Sequence, residues 1–482
     1  MNYRMVFYNI GRILLVEAAL LIFPAIGSLI YNEDTLISFA ITIAALSVTG
    51  LLAIRKKPKK SSIYAKDGYV IVSLTWILMS LFGALPFYIS GYIPDFIDAF
   101  FETVSGFTTT GSTILREIES LPKSLLFWRS FTHWIGGMGI LVFVIAIMPK
   151  TESTSMHVMR AEVPGPTVGK LVSKLRASAR ILYGIYCILT AIQVILLLAG
   201  GMPLFDSVVN SLATAGTGGF AILNNSIEGY NSVYSEMVIA VFMLIFGINF
   251  NLYYMLLIKQ GKQAIKSEEL RWYIGIIAAS VVIITISLIS TKHEIGESFR
   301  YAFFQVSSII TTTGFSTTNF DTWPVIAKFV LVFLMFIGAC AGSTGGGIKI
   351  SRLIILTKSG LRDIKKSINP RSIETVKLDR HTVDEPVVKS TSVFFGTYML
   401  LLAASILVVS LDGRDLVSTA TSVIACMGNI GPGLGAVGPY GNFADFSVLS
   451  KLILSFDMLA GRLELIPMLM LFSPYAWSRK YS

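Results

Sequence analysis

The chain has 482 residues, 54% hydrophobic and only 14% charged, where soluble domains carry about a quarter of charged residues; this excludes a string of soluble domains and marks an integral membrane protein. Its net charge of +10 is expected, in such a chain, as lysine and arginine gathered on cytoplasmic loops rather than as a nucleic-acid surface. The three cysteines, Cys187, Cys340 and Cys426, are odd in number and lack CxxC spacing, which argues against a disulfide framework or a zinc site.

In chain order, Arg4 and Arg12 precede an apolar run over 13–31, and a second run over 36–54 ends at the basic stretch 55–60. These charges place both ends of a helical hairpin inside. The first run is longer than the apolar core of a signal peptide and no clear A-x-A site follows it. Glu17 within it is costly in lipid and must face protein or water.

Four similar units follow. The first has a spanning helix over 69–90, a short helix over 95–107, the loop Thr108-Thr109-Thr110-Gly111-Ser112 and a return helix over 125–148. Residues 150–180 then carry Lys150, Arg160, Lys170, Lys174, Arg176 and Arg180, as expected of an inside loop. The second unit runs from a helix over 181–199 through a short segment over 204–215 and Thr217-Gly218-Gly219-Phe220 to a return helix over 234–258, with a basic exit over 259–271. The third has a helix over 273–289, a short segment over 297–310, Thr311-Thr312-Thr313-Gly314-Phe315 and a return element from Val325 onward. The fourth has a helix over 393–411, a short segment over 415–427, Asn429-Ile430-Gly431-Pro432 and a last helix over 448–472, ending inside at Arg479-Lys480.

The expected fold is therefore an all-α integral membrane protein with four tandem helix-pore loop-helix repeats in pseudo-fourfold symmetry, preceded by two extra transmembrane helices. Its parts are an N-terminal hairpin over 1–60 and units over 61–150, 151–262, 263–366 and 367–482. The repeat is visible directly: residues 99–111 read AFFETVSGFTTTG and residues 302–314 read AFFQVSSIITTTG, aligning without a gap. The short segments are too short to cross a bilayer, and each runs into a Thr/Gly or Asn/Gly loop. That is the construction of a potassium pore, in which backbone carbonyls replace the ion's hydration shell. The candidate filter is Thr109, Thr110 and Gly111; Thr217, Gly218 and Gly219; Thr312, Thr313 and Gly314; Asn429, Ile430 and Gly431. Glycine there frees the backbone to turn successive carbonyls toward one axis, and the short helices aim their partially negative C-termini at it. Small residues packing two helices together would explain one such run, but not four at equivalent positions.

The third return element is interrupted by the glycine-rich run 338–347, followed by Lys349 and Arg352. Irregular backbone at membrane depth is tolerated only against protein or a cavity, so this run is expected in the pore below the filter. It is not a Walker loop, because Ile348 separates the last glycine from Lys349. The GPGLG over 431–435 follows a pore segment rather than a strand, so it is not a dinucleotide fingerprint. Arg462 in the last helix is the other costly group, with a salt bridge to Glu464 or another carboxylate as the alternative to a functional role. The histidines His133, His157, His293 and His381 show no ligand spacing, and no catalytic constellation is present, so no enzyme is expected. A rocking-type secondary transporter, cation-coupled and moving potassium or sodium, is the competing class; four parallel pore repeats favour the channel-like reading over it.

With four such units, the loops TTTGST, TGGF, TTTGFSTT and GNIGPGLG and the glycine-broken third return helix, the chain resembles the Trk/Ktr/HKT family of potassium transporters. WRSFTHWIGGMGI over 128–140, RAEVPGP over 160–166, AGRLE over 460–464 and the extra N-terminal hairpin match its longer branch, and the resemblance covers nearly the whole chain. It implies potassium uptake through the cytoplasmic (inner) membrane by a homodimer with both termini cytoplasmic. Potassium would be the transported ligand and no cofactor would be covalently bound. A cytosolic NAD/ATP-binding regulatory subunit of the TrkA type would act on the gate. The resemblance also implies that the gate comprises Gly342, Gly345, Gly346, Gly347 and Lys349, with Arg462 beneath the filter. Asn429-Ile430 in place of a threonine pair departs from the first and third loops.

Overall fold

The computed structural model describes residues 3–55, 65–139, 175–291 and 294–477. The basic stretch 56–60, residues 140–174 with the end of the expected first return helix and the RAEVPGP motif, His157, His293 and Arg479-Lys480 lie outside the described residues.

Six helices among the described residues are long and apolar enough to cross a membrane: Tyr3–Ile30, Leu36–Ile54, Lys66–Ile89, Ala179–Ala199, Glu268–Ile289 and Glu385–Asp412. They are the N-terminal hairpin and the outer helix of each of the four units. Their outward faces are apolar where a soluble helix would be polar, with Leu400 75%, Ile286 64% and Ile195 63% exposed. Such faces have lipid as their natural solvent.

Among the described residues no single return helix is that long and apolar, and the second, third and fourth are broken. The first is helical over Lys123–Gly137, followed by Gly139 at φ 80. The expected continuous second return helix is instead two pieces, Val233–Phe246 and Phe250–Leu257, bent by 88°. The third stops at Ile337 and resumes over Ile350–Ile368. The last, also expected to be continuous, ends at Arg462; Glu464 and Leu465 take φ of 64 and 57 before Ile466–Leu471. Glycines at 136, 137 and 139 mark the first helix end and the glycine run marks the third break, but a lone Gly247 is tolerated within a helix and Leu463 and Leu465 are ordinary helix formers, so the second and last breaks carry little mark.

The short pore helices are Phe96–Phe107, Leu204–Gly216, Ile295–Ile310 and Leu416–Gly428. Asp95 caps the first by accepting from the Ile97 and Asp98 N–H groups at 2.8 and 3.1 Å, and Asp415 caps the fourth through the Ser418 N–H at 2.9 Å. Each satisfies a donor that a helix start leaves open. Outside the membrane-depth elements, Lys377–Leu378 pairs antiparallel with His381–Thr382. Asp379 and Arg380 at the tip have φ of 50 and 67, the backbone of a tight two-residue hairpin turn.

Neighbouring units are tied by polar contacts between chain segments distant in sequence. Glu102 on the first pore helix pairs with Arg129 on the first return helix at 2.8 Å, and Arg129 also donates to Ala221 O of the second unit at 3.2 Å. Glu236 of the second unit pairs with Arg300 of the third at 3.3 Å, and Lys451 of the fourth with Asp98 of the first at 2.5 Å. The Ile227 N–H donates to Ser316 O at 3.1 Å, the Gly435 N–H to Asp321 Oδ2 at 3.2 Å, and the Phe443 N–H to Thr113 O at 2.8 Å.

Glu102 and Arg129 are 1% and 2% exposed, and a buried pair is costly to halve because the survivor stays desolvated. Arg129→Met should lower stability by about 3–5 kcal/mol, read as a fall in the thermal unfolding midpoint of the purified protein. Adding Glu102→Gln in that background should recover part of the loss, since a neutral amide is cheaper to bury.

Candidate ion pathway

Each pore helix ends in the same way. The N–H groups of Thr110, Gly218, Thr313 and Ile430 donate to the carbonyls of Ser105, Ala213, Ser308 and Ala425 at 2.8–2.9 Å, five residues back. Those of Thr109, Thr217, Thr312 and Asn429 donate to Gly106, Thr214, Ile309 and Cys426 at 2.9–3.2 Å. This is a Schellman closure, whose capping residue must be left-handed. Thr109, Thr217, Thr312 and Asn429 accordingly have φ of 56, 55, 58 and 55. Glycine or asparagine takes that place cheaply; three β-branched threonines do not, and each carries strain of about 1–2 kcal/mol. Strain of this kind gathers where function requires it.

Two residues further on, Gly111, Gly219, Gly314 and Gly431 have φ of 82, 73, 88 and 100. A Cβ on Gly111 would lie 2.0 Å from Gly218 O, one on Gly219 1.9 Å from Thr313 O, one on Gly314 2.1 Å from Ile430 O, and one on Gly431 2.8 Å from Thr110 O. The four loops thus form a closed ring in sequence order, each glycine against the carbonyl that precedes the next glycine. One cavity of about 90 Å³ touches all four glycines and is lined also by Ser112 and Arg129.

The twelve sequence-predicted loop residues are therefore brought together. Asn429 departs from its counterparts in side chain only. Its amide donates to Thr110 Oγ1 and to Met458 O, both at 2.9 Å, so it braces the first loop. In the first and third loops bracing is internal, Thr108 Oγ1 to Thr110 Oγ1 at 2.7 Å and Thr311 Oγ1 to Thr313 Oγ1 at 2.8 Å. His133, unassigned from sequence, bridges two units: Nδ1 donates to Gly106 O at 2.7 Å, and Nε2 accepts from the Phe220 N–H at 3.3 Å.

The glycine-rich run lies against the helix-side end of this ring. Thr312 Oγ1 accepts from the Gly346 N–H at 2.6 Å. A Cβ on Gly345 would lie 2.9 Å from Thr311 O, and one on Gly346 2.7 Å from Gly428 O. Gly342 sits at the broken second return helix, its carbonyl accepting from the Phe250 N–H at 3.0 Å. Gly347, at φ 74, packs on the Gly338 backbone. Lys349, 1% exposed, donates from Nζ to Gly345 O. Arg462 donates to Thr344 O at 2.7 Å and to Gly136 O and Gly137 O at 2.5 and 2.8 Å, so it reaches from the fourth unit to the third unit's loop and the first unit's helix end. Glu464, the salt-bridge partner considered from sequence, pairs with Arg352 at 2.6 Å. Of the six residues expected in the gate, Gly345 and Gly346 touch the ring's helix-side end, Lys349 and Arg462 hold carbonyls of the same run, and Gly342 and Gly347 pack on the second return helix's break and on Gly338.

One residue of this region escaped the sequence reading. Glu269, 8% exposed, accepts at Oε1 from the Ala341 N–H at 2.7 Å and the Ser351 N–H at 3.1 Å. The signal available was Glu268-Glu269 at a helix start, which reads as an ordinary complement to the helix dipole.

Comparison with known proteins follows this geometry. A family model described as TrkH, cation transport protein, matches residues 35–481. The chain is 36% identical to the Trk system potassium uptake protein TrkH of Salmonella typhimurium, over 99% of this chain and 100% of that protein. It is 33% identical to the Trk system potassium uptake protein TrkG of Escherichia coli, over 98% of both. The crystal structure of the potassium transporter TrkH from Vibrio parahaemolyticus superposes with a TM-score of 0.89 at 32% identity, covering 99% of this chain and 100% of that one. The chain belongs to the TrkH family of cation transport proteins.

Proposed function

We propose that this protein carries potassium into the cell across the cytoplasmic membrane. Its filter is Thr109, Thr110, Gly111, Thr217, Gly218, Gly219, Thr312, Thr313, Gly314, Asn429, Ile430 and Gly431. The observation that carries the reading is the closed ring of four positive-φ glycines, each held against the next unit's carbonyl. Such backbone offers a dehydrated cation carbonyl oxygens from four sides, and the four pore-helix C-termini add partial negative charge around it. The names of its relatives, potassium uptake proteins of Trk systems, support the choice of ion.

On this reading Gly342, Gly345, Gly346, Gly347, Lys349 and Arg462 form the gate. The chain works as a homodimer with both termini in the cytoplasm, and a cytosolic nucleotide-binding subunit sets the gate from that side. The hairpin over 1–60 and the units over 61–150, 151–262, 263–366 and 367–482 are the working divisions. Potassium flux by the purified protein in liposomes, with and without proton and sodium gradients, tests the reading. Flux that requires a sodium or proton gradient would favour a coupled carrier instead.

The ring sets an order of effects. Alanine at Gly111, Gly219 or Gly314 drives a methyl onto a carbonyl at about 2 Å, whereas at Gly431 the approach is 2.8 Å. The first three substitutions should reduce rubidium-over-sodium uptake by about tenfold or more, the equivalent of about 1.4 kcal/mol, and Gly431→Ala should reduce it least. Paired uptake assays in the same cells read both ions.

The gate gives a second expectation. Deleting one of Gly345, Gly346 and Gly347 or replacing Arg462 with alanine should raise potassium flux in the absence of any partner. Arg462→Ala removes three carbonyl contacts of a charged donor, each worth about 1.5–3 kcal/mol, and should also reduce thermal stability. The deletion should change flux with little effect on its voltage dependence, since it removes no charge. Flux measured at stepped potentials separates the two.

A further inference from the structure

The intramembrane loop is held at both ends by one carboxylate on a neighbouring element. Glu269 Oε1 accepts from Ala341, near the start of the loop, and from Ser351, just past its end. Glu269 is the second residue of the third outer helix, Glu268–Ile289. Its neighbour Glu268 faces the hairpin at 377–382. Glu268 pairs with Lys358 at 2.5 Å, its backbone N–H donates to Asp379 Oδ1 at 2.5 Å, and its Oε2 accepts from the Asp379 N–H at 3.3 Å. Lys358 in turn donates to Lys377 O at 2.7 Å. Two consecutive residues at one helix start thus hold the loop with one side chain and the hairpin with the other.

We propose that Glu269 is a positioning residue that clamps both ends of the 338–349 loop in its blocking arrangement, and that Glu268, with Lys358 and Asp379, makes the hairpin at 377–382 the handle by which a cytosolic partner releases that clamp. The proposal rests on the reading of the loop as the gate. A carboxylate accepting two backbone N–H groups makes charge-assisted bonds, stronger than neutral ones, and a rigid helix start links the two side chains within one residue. The hairpin tip, with Asp379 and Arg380 in left-handed backbone, is bound to the rest through these polar contacts together with Leu378 and, at the hairpin's base, Val376, 4% and 3% exposed. Asp379 at the tip contacts Glu268 directly, so movement of the tip pulls on Glu268.

Cys340, inside the loop and 0% exposed, supplies a readout independent of transport. In a Cys187→Ala, Cys426→Ala background, Cys340 should react with a polar maleimide at least about tenfold faster once Glu269→Ala removes both charge-assisted bonds, since one such bond alone is worth about that factor. Glu269→Gln, whose amide oxygen can still accept, should fall between that variant and the parent, and it decides the question alone if Glu269→Ala does not fold. Lys358→Ala should accelerate labelling through the hairpin arm while leaving Glu269 in place. Rubidium flux of the same proteins in liposomes should rise in the same order. Labelling of folded Glu269 variants at the parent's rate overturns the clamp, and parental labelling of Lys358→Ala overturns the hairpin's part in it. Faster labelling with unchanged flux upholds the clamp and overturns the loop as gate.

Discussion

Backbone at membrane depth must find its hydrogen-bond partners within the protein, and the breaks of the second, third and fourth return helices among the described residues are joined by such bonds. The breaks of the second and third units satisfy each other. The Cys340 and Thr344 N–H groups donate to Gly247 O and Phe246 O at 3.1 and 3.4 Å, and the Phe250 N–H donates back to Gly342 O. The third unit's chain also closes on its own helix end, with the N–H groups of Ile348, Lys349 and Ile350 donating to Phe336, Ile337 and Ala339 carbonyls at 2.9–3.3 Å. Charged side chains supply what backbone cannot: Glu269 accepts from two N–H groups, while Arg462 and Lys349 donate to carbonyls. Arg462, which looks expensive in the sequence, is thus the partner of backbone that would otherwise be orphaned; Glu17, equally costly, is fully buried and serves no such backbone among the described residues.

The fourfold pattern is a property of backbone more than of side chains. All four loops share the closure of the pore helix, the left-handed residue and the positive-φ glycine. The supports behind them differ: a hydroxyl pair in the first and third loops, His133 beside the second, and Asn429 reaching across to Thr110 in the fourth. A carbonyl-lined site requires only that the carbonyls be placed alike, so side chains were free to diverge. The wider approach at Gly431, 2.8 Å against about 2 Å elsewhere, shows the same freedom in the backbone itself.

Much of this was legible because it is written in composition and spacing. The outer helices follow from apolar runs of spanning length, and the loops from a repeat that aligns 99–111 with 302–314. Thr217-Gly218-Gly219 and Asn429-Ile430-Gly431 were found by position, and the structure joins them to the other two loops in one ring. The breaks at Gly247–Asn249 and Leu463–Leu465 were not legible, because their cause lies in another unit. The second return helix bends where the third unit's loop occupies its next turn, and the last opens where Arg462 turns toward Gly136 and Gly137. Glu464, or another carboxylate, was weighed as a partner for Arg462 only as the alternative to a functional role; the bond of Glu464 to Arg352, more than a hundred positions away, is a tertiary choice that proximity cannot encode. Glu269 was invisible for the same reason.

On the proposed reading, closure of the pathway by bulk and closure by charge are a single event. Lys349 and Arg462 hold the loop by donating to Gly345 O and Thr344 O, carbonyls that would otherwise attract a passing cation. In the position described, the loop therefore places two positive side chains and its own backbone under the ring together. A loop that withdraws breaks the Arg462 contact and carries its own carbonyls away with it, while Arg462 keeps its bonds to Gly136 O and Gly137 O. How readily the loop withdraws is then set by how firmly Glu269 holds its two ends.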